Sequence, residues 1–573
     1  MLLILFFLGY FSLNLIIKII ETVTKSKINW CFKIEDIIVT SLAILSLILI
    51  AFKYFNLPPT LHLISLAALC CLVSIFIALP IYLIIFSHKY LFKNTYLFSL
   101  QKPVLSNCFL FSTIFLLYLV RALFKAKDFQ EIVYIPSRYN TDIFLYLRRI
   151  SVFLGEQTYS NHQYNNVSVQ NILYDSPKLL SSFIYAAFTN RFQSLSIAGT
   201  VLTSLILTAI IFKYILLLSK NNFAKPFYIA ILIFLFFFPA FSWLQDQFYL
   251  SNLLYLYLLI YGLSDFFLSD SFNHKTILKY GISLVAVAGF YPSQIPFFAL
   301  AATLLLVLVE GKLSIRHILK ICLLTIITIL IFLPQYTATS EVVQHFNLID
   351  AKHGVNFSYI PFWSILNVVP KPGGFKVDFS SVALVIFSIL LTVFVIKYLA
   401  KNNIQIAKYL YIGGFLYIVY SLSFIAIPGS YRQGKFLITY IIPLLLFCAI
   451  RIITSIKIHN KIATAVMIIL AIYVSWNSLD RKYKSHINRE TQQTINYIIK
   501  QNKPVAFYYK NLDHRYYYFS YQLRNYPLKM VDRCPSDEEI KAILPSSQTI
   551  VIAQACSFDN SNFSDNTVVK LDF

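Results

Sequence analysis

Long apolar runs separated by short polar loops dominate this chain. They fall at 1–20, 37–52, 61–86, 107–124, 196–218, 226–243, 248–268, 280–290, 295–310, 318–334, 380–398, 409–427, 437–450 and 462–476. A helix that crosses a bilayer needs about 20 mostly apolar residues, so the runs predict membrane spans. The runs 280–290 and 295–310 are short and flank YPSQ, which predicts broken or tilted helices. The first run has no basic stretch before it and no small-residue cleavage site after it, so it reads as a retained span. The expected fold is an all-α polytopic membrane bundle of about 12–14 transmembrane helices, closed by a small C-terminal extracytoplasmic α/β domain.

Composition strengthens that reading. Of 573 residues, 58% are hydrophobic and 13% charged, against about 25% charged in soluble domains. The net charge of +23 would suggest nucleic acid in a soluble protein. Here the basic residues sit in short loops and no basic stripe is interleaved with stacking aromatics, so no nucleic-acid partner is expected. Cys31, Cys70, Cys71, Cys108, Cys322 and Cys448 lie in or beside apolar runs and read as small hydrophobes. Cys534 and Cys556 lie in the polar C-terminal segment, where they either pair in an oxidising compartment or stay free thiols. No Cys/His spacing suggests zinc.

The loops set the orientation. Lys25, Lys27, Lys33, Lys89, Lys93, Lys102, Lys220, Lys225, Lys275, Lys279, Lys312, Arg316, Lys401, Lys408, Lys457 and Lys461 fall in one alternating set. The other set, KYFNLPPT, FSWLQDQ, YPSQ and PGSYRQGK, is poor in Lys and Arg. The first set is therefore expected in the cytoplasm, with both termini and the segments 125–195, 335–379 and 477–573 outside. The chain divides into an N-terminal transmembrane extension (1–106), a transmembrane core (107–476) and the C-terminal domain (477–573). In that domain INRETQQTINYIIK predicts an amphipathic helix, and PVAFYY, TIVIAQ and VVKLDF predict strands. Ser536 to Glu539 reads as a capping box. No nucleophile elbow, P-loop or dinucleotide fingerprint is found, so the domain reads as a docking or recognition unit.

Three outside stretches carry candidate chemistry. RYNTDIFLYLRRISVFLG (138–155) predicts an interfacial amphipathic helix capped by Asn140 or Thr141. Ile143, Tyr146, Leu147, Ile150, Phe153 and Leu154 form its apolar face, directed to the membrane. Asp142 stands at its start, where the helix dipole favours a negative charge; it is either a plain capping acid or a functional one. Asp246 lies in a very short loop between two spans, a costly place for a carboxylate unless it is hydrated, paired or functional. Arg432 and Lys435 are the charges of a third outside loop, against the positive-inside bias. They read either as snorkelling interface residues or as a receptor for an anionic partner such as a lipid phosphate.

The order of these features resembles the GT-C superfamily of polytopic glycosyltransferases. A span is followed by Asp142, Tyr146 and Arg149, then by DSPKLLSSFIYAAF, then by Asp246 after a Pro-bearing span. Late in the chain YRQGKFLITYIIPLL and an α/β segment follow. The likeness covers 107–573; QDQ stands where a DxD would be, and no WWDYG-type motif is present. The resemblance implies transfer of a sugar from a polyprenyl-phosphate-linked donor to a glycan, lipid or protein acceptor in the cell envelope, at the outer face of a bacterial cytoplasmic (inner) membrane. It implies Asp142 as general base and Asp246 as a second catalytic acid that positions the acceptor or helps hold a divalent cation (Mg or Mn). Arg432 and Lys435 would bind the phosphate, with Tyr146 and Arg149 also on the substrate. Arg148, His162, Tyr336 and His345 are further polar residues of the outside loops, expected to be solvated or packed. The rival readings are an O-antigen-type polysaccharide polymerase or ligase, a lipid or sugar transporter, and a non-catalytic scaffold.

Overall fold

The computed structural model describes residues 2–24, 33–57, 60–86, 105–125, 179–192, 195–218, 225–238, 250–268, 273–310, 314–337, 404–426, 437–455, 489–508, 528–531, 533–536, 549–553 and 568–571, with shorter pieces between them. Helices dominate. In chain order they are α1 (Leu2–Thr24), α2 (Ile34–Tyr54), α3 (Leu61–Phe86), α4 (Leu105–Lys125), α5 (Leu179–Phe192), α6 (Leu195–Leu218) and α7 (Lys225–Phe236). There follow α8 (Leu250–Leu268), α9 (His274–Phe290), α10 (Ile295–Glu310), α11 (Ile315–Ile331), α12 (Ile404–Ala426), α13 (Ile442–Ser455) and α14 (Arg489–Gln501). Hydrocarbon offers no partner to a backbone amide, so an apolar run in a membrane must close its hydrogen bonds within itself. Among the described residues four stretches are long and apolar enough to cross a membrane: Leu3–Thr24, Ile34–Tyr54, Leu61–Ala78 and Ile197–Leu216. Further apolar helices, Leu250–Phe266 and Pro292–Leu306 among them, are shorter.

The YPSQ break is present as expected. Helix α9 stops at Tyr291, Pro292–Gln294 form a turn of 3-10 helix, and α10 begins at Ile295. Proline at the first position of that turn needs no amide partner, which lets the chain reverse there. A helix also stands where a loop was expected. Leu179–Phe192, read from the sequence as part of an outside loop, is a 14-residue helix. Its Ser181, Ser182 and Thr189 are buried, and these polar positions hid it from a hydropathy reading.

Helix α8 is the hub. Tyr255, Leu256, Leu258, Leu259, Ile260, Tyr261 and Leu263 are all inaccessible to solvent. The helix packs on α6, α9 and α10. Helix α9 packs in turn on α2, and α2 on α1. Close approach at these seams depends on small residues, as in other membrane bundles. A Cβ added at Gly289 would collide with the Ser46 side chain, and one at Gly9 with Ser41. Replacing Gly289 by Ala should therefore force α9 off α2. The overpacking cost is about 1–3 kcal/mol, read as a lower melting temperature of the detergent-solubilised protein, whereas Gly281→Ala, whose Cβ would meet Leu324 at ordinary contact distance, should not lower it.

The C-terminal part carries α14 and the parallel strands β3 (Val505–Tyr508), β4 (Leu528–Val531), β5 (Thr549–Ala553) and β6 (Val568–Leu571), in the order β4-β3-β5-β6. An earlier two-residue pair, β1 (Val355–Asn356) and β2 (Lys371–Pro372), is antiparallel. Strand β3 is buried at every position, as a strand covered on both faces must be. Cys534 is disulfide-bonded.

Candidate functional site

Two polar centres lie at opposite ends of α8. Near its C-terminus a charged network ties four helices together. The Nζ of Lys213 on α6 is 2.6 Å from the carboxylate of Glu35 at the start of α2. The Asp36 carboxylate accepts a hydrogen bond of 2.5 Å from the Tyr261 hydroxyl on α8 and one of 2.8 Å from the Lys33 backbone N–H. Lys279 on α9 places its Nζ 3.1 Å from Asp265 and 3.8 Å from Asp36. Both ammonium groups also lie over the Tyr261 ring, Lys213 at 5.4 Å and Lys279 at 5.1 Å from its centroid. Each charge is met by an opposite charge, and the two ammonium groups also meet the face of an aromatic ring. That is the condition under which ionised groups persist in an apolar surround.

The centre at the other end of α8 is uncharged among the described residues. Gln245 is buried and its amide N–H donates to Ser204 on α6 at 2.8 Å. The Ser181 and Ser251 hydroxyls, from α5 and α8, are 2.7 Å apart. One residue on, Asn252 is 1% exposed, and neither its Oδ1 nor its Nδ2 has a hydrogen-bond partner among the described residues. The same holds for the hydroxyl of Tyr255, for the Gln245 Oε1 and for the Gln294 Oε1. Asn252 and Tyr255, three apart, share one face of α8. The Tyr255 ring meets that of Tyr291 edge-on at 6.4 Å, beside the break that carries Gln294. Tyr440 and Tyr291 both lie near Tyr255. Tyr440 also packs on Phe297 of α10 at 5.9 Å, from a turn of π-helix, Leu437–Ile441, that leads into α13. Such wide turns often mark functional sites. Leaving a buried polar group unpaired costs about 1–3 kcal/mol, so several on one face are expensive.

Arg121 is buried between α4 and α7. The C-terminal part of α4 brings its guanidinium 5.7 Å from the Tyr118 ring centroid and 5.9 Å from that of Phe236, the last residue of α7. The Tyr118 hydroxyl donates to the Phe236 carbonyl at 3.3 Å.

The sequence-predicted site residues Asp142, Tyr146, Arg149, Asp246, Arg432 and Lys435 lie outside the described residues, as do Arg148, His162 and His345. Tyr336 is described and half-buried, its backbone N–H bonded to the Phe332 carbonyl at 3.0 Å. The described ends of the predicted stretches are informative. Ile150 and Phe153 are inaccessible to solvent, and the Phe153 ring meets Phe183 of α5 at 5.5 Å. At these two positions the apolar face expected to lie in the membrane is covered by protein instead, because α5 supplies an apolar surface that the loop reading omitted. Gln245 directly precedes Asp246, and Tyr440 stands five residues after Lys435. Both belong to the uncharged centre.

Sequence reasoning missed Asn252, Tyr255, Tyr291 and Tyr440 because each reads as an ordinary position in or beside a span. The charged network left a partial signal: Asp265 and Lys213 interrupt apolar runs. Its pairing, across 178 residues for Glu35 and Lys213, has no mark in the linear pattern. Among the described residues no group of three His, Cys, Asp or Glu could hold a metal ion. Comparison with family models and with curated proteins finds no match to this chain.

Proposed function

We propose that this chain is an integral membrane glycosyltransferase that moves a sugar from a polyprenyl-phosphate-linked donor to an acceptor outside the cytoplasm. One observation carries the reading. Gln245, Asn252, Tyr255 and Tyr440 belong to a buried, uncharged polar centre, and that centre adjoins in sequence both Asp246 and the Arg432–Lys435 loop. The opposite end of α8 gathers Lys33, Lys213 and Lys279, so the positive-inside bias assigns that end to the cytoplasm and the uncharged centre to the outer face. A disulfide at Cys534 suits an oxidising, extracytoplasmic compartment for the C-terminal segment. In this reading the whole membrane bundle has about 12–14 spans and that segment forms a recognition domain.

The chemistry follows from a leaving group too apolar to quit the bilayer. An acceptor hydroxyl attacks the anomeric carbon of the donor. Its proton passes to Asp142, the new glycosidic C–O bond forms, and the bond from the anomeric carbon to the phosphate oxygen breaks. The electron pair leaves with the lipid phosphate, whose growing charge Arg432 and Lys435 stabilise. Asp246 positions the acceptor.

A transporter is the second reading, favoured by the charged network around Tyr261. Charges within spans often mark ion or proton paths. Here, however, they meet their opposites near helix ends. Glu35 and Asp36 open α2, Lys213 and Asp265 lie in the last two turns of α6 and α8, and Lys279 lies in the second turn of α9. That placement suits a clamp better than a path through mid-membrane.

Transfer itself is the test. Proteoliposomes holding the full chain are given radiolabelled citronellyl-phosphate sugars together with membrane glycolipids and proteins as acceptors. Label should move from at least one donor into an acceptor. Uptake of label into the vesicle lumen without covalent transfer would replace this reading with the transporter.

A further inference from the structure

The unpartnered groups at the outer end of α8 have a chemistry of their own. Asn252 offers a donor and an acceptor, the Tyr255 hydroxyl offers both, and Gln294 offers an acceptor through Oε1. Asn252 and Tyr255 are 1% and 0% exposed. Nothing among these groups is charged, so they do not suit a phosphate or a metal ion. They suit a ligand rich in hydroxyls, each of which donates one hydrogen bond and accepts others. The surround is aromatic: Tyr255 meets Tyr291, and Tyr440 meets Phe297, edge to face, and aromatic rings are the side chains on which the C–H side of a sugar ring packs. Tyr291 and Gln294, at the break between α9 and α10, are partly exposed, which makes that break the nearest route to the centre.

We infer that Asn252, Tyr255 and Gln294 bind an uncharged sugar ring by hydrogen bonds to its hydroxyls. On the glycosyltransferase reading above, on which the identity of the ligand rests, this ring is the donor's sugar. Recognition is then divided: the basic loop holds the phosphate, and the face of α8 selects the sugar. A site built to pair hydroxyls rejects a ligand that lacks them, because its own buried groups are then left unpaired.

Binding without turnover tests this. The full-length protein in lipid nanodiscs, free of glycoside detergents, is titrated with citronellyl phosphate and with citronellyl-phosphate glucose, galactose, mannose, arabinose and N-acetylglucosamine. At least one sugar-bearing probe should bind about tenfold or more tighter than citronellyl phosphate. Asn252→Leu and Tyr255→Phe should erase that margin while leaving the affinity for citronellyl phosphate within about twofold. Both variants keep the shape of the residue and remove unpaired polar atoms, so neither should lower the melting temperature. A Gln294→Ala variant, at a half-exposed position, provides an independent check that does not depend on the core.

Two results would overturn the inference. One is that no sugar-bearing probe exceeds citronellyl phosphate. The other is that all three variants bind every probe as the parent does, which would mean that the polar groups serve internal water. Sugar-dependent binding with no transfer to any acceptor would overturn the glycosyltransferase reading and leave the sugar site standing. Asp142→Asn should keep the binding margin, since it removes a proton acceptor and none of the groups proposed to hold the sugar.

Discussion

Replacing Asp142 by Asn should lower sugar transfer by about 10²–10⁴-fold, the usual contribution of a positioned general base. The change deletes one negative charge and keeps the size and the capping ability of the side chain, because Asn caps a helix as well as Asp does. Protein level, melting temperature and elution volume should therefore stay at parent values. The measurement is the initial rate of label transfer from the citronellyl-phosphate donor that works best with the parent. Transfer at the parent rate would mean that Asp142 is only a helix cap. A loss of rate with a loss of folded protein would be read against Asp142→Ser, which caps but cannot act as a carboxylate base.

Replacing Lys213 by Met should cost stability in a way that a second change repairs. Lys213 and Glu35 form a pair at 2.6 Å, with side chains 10% and 20% exposed. Removing the ammonium leaves the Glu35 carboxylate in a place that excludes most water. Breaking a buried pair in this way costs about 3–5 kcal/mol, and the remaining exposure of Glu35 places the expected loss at the lower end. The double variant Lys213→Met, Glu35→Met buries no unpaired charge, and such apolar replacements are often neutral or stabilising. Its melting temperature should return to near the parent value. A double variant as unstable as the sum of the two single ones would show that the pair does not couple α6 to α2. The outer rim should be unaffected, so binding of citronellyl phosphate is expected to survive in both variants.

Much of the helical frame was legible because an apolar run in a bilayer has few alternatives to a helix. The break at YPSQ was legible for the same reason, since proline and two polar residues interrupt the pattern. Helix α5 was not, because Ser181, Ser182 and Thr189 face protein rather than lipid and lower its hydropathy. The clamp at Tyr261 was half visible. Glu35, Lys213, Asp265 and Lys279 each stand out in an apolar context, but only the packing of α2, α6, α8 and α9 shows which charge meets which. The uncharged centre was hidden altogether. Asn252 and Tyr255 carry no charge to mark them within an apolar run, and what sets them apart is the lack of a partner among the described residues, which no linear pattern records. The strand Leu528–Val531 was missed because its four residues, LKMV, include a single β-branched one.

The proposed chemistry requires the chain segments bearing Asp142 and Asp246 to meet at one rim of the bundle. Spin labels carried by non-natural amino acids at positions 142 and 246 would leave the cysteines intact, and double electron–electron resonance would give the distance between them. A distance well below the thickness of the hydrocarbon core, about 30 Å, is expected, because neighbouring helices pack about 8–10 Å apart. A distance at or above about 30 Å would place the two acids too far apart to share a substrate and would contradict the account.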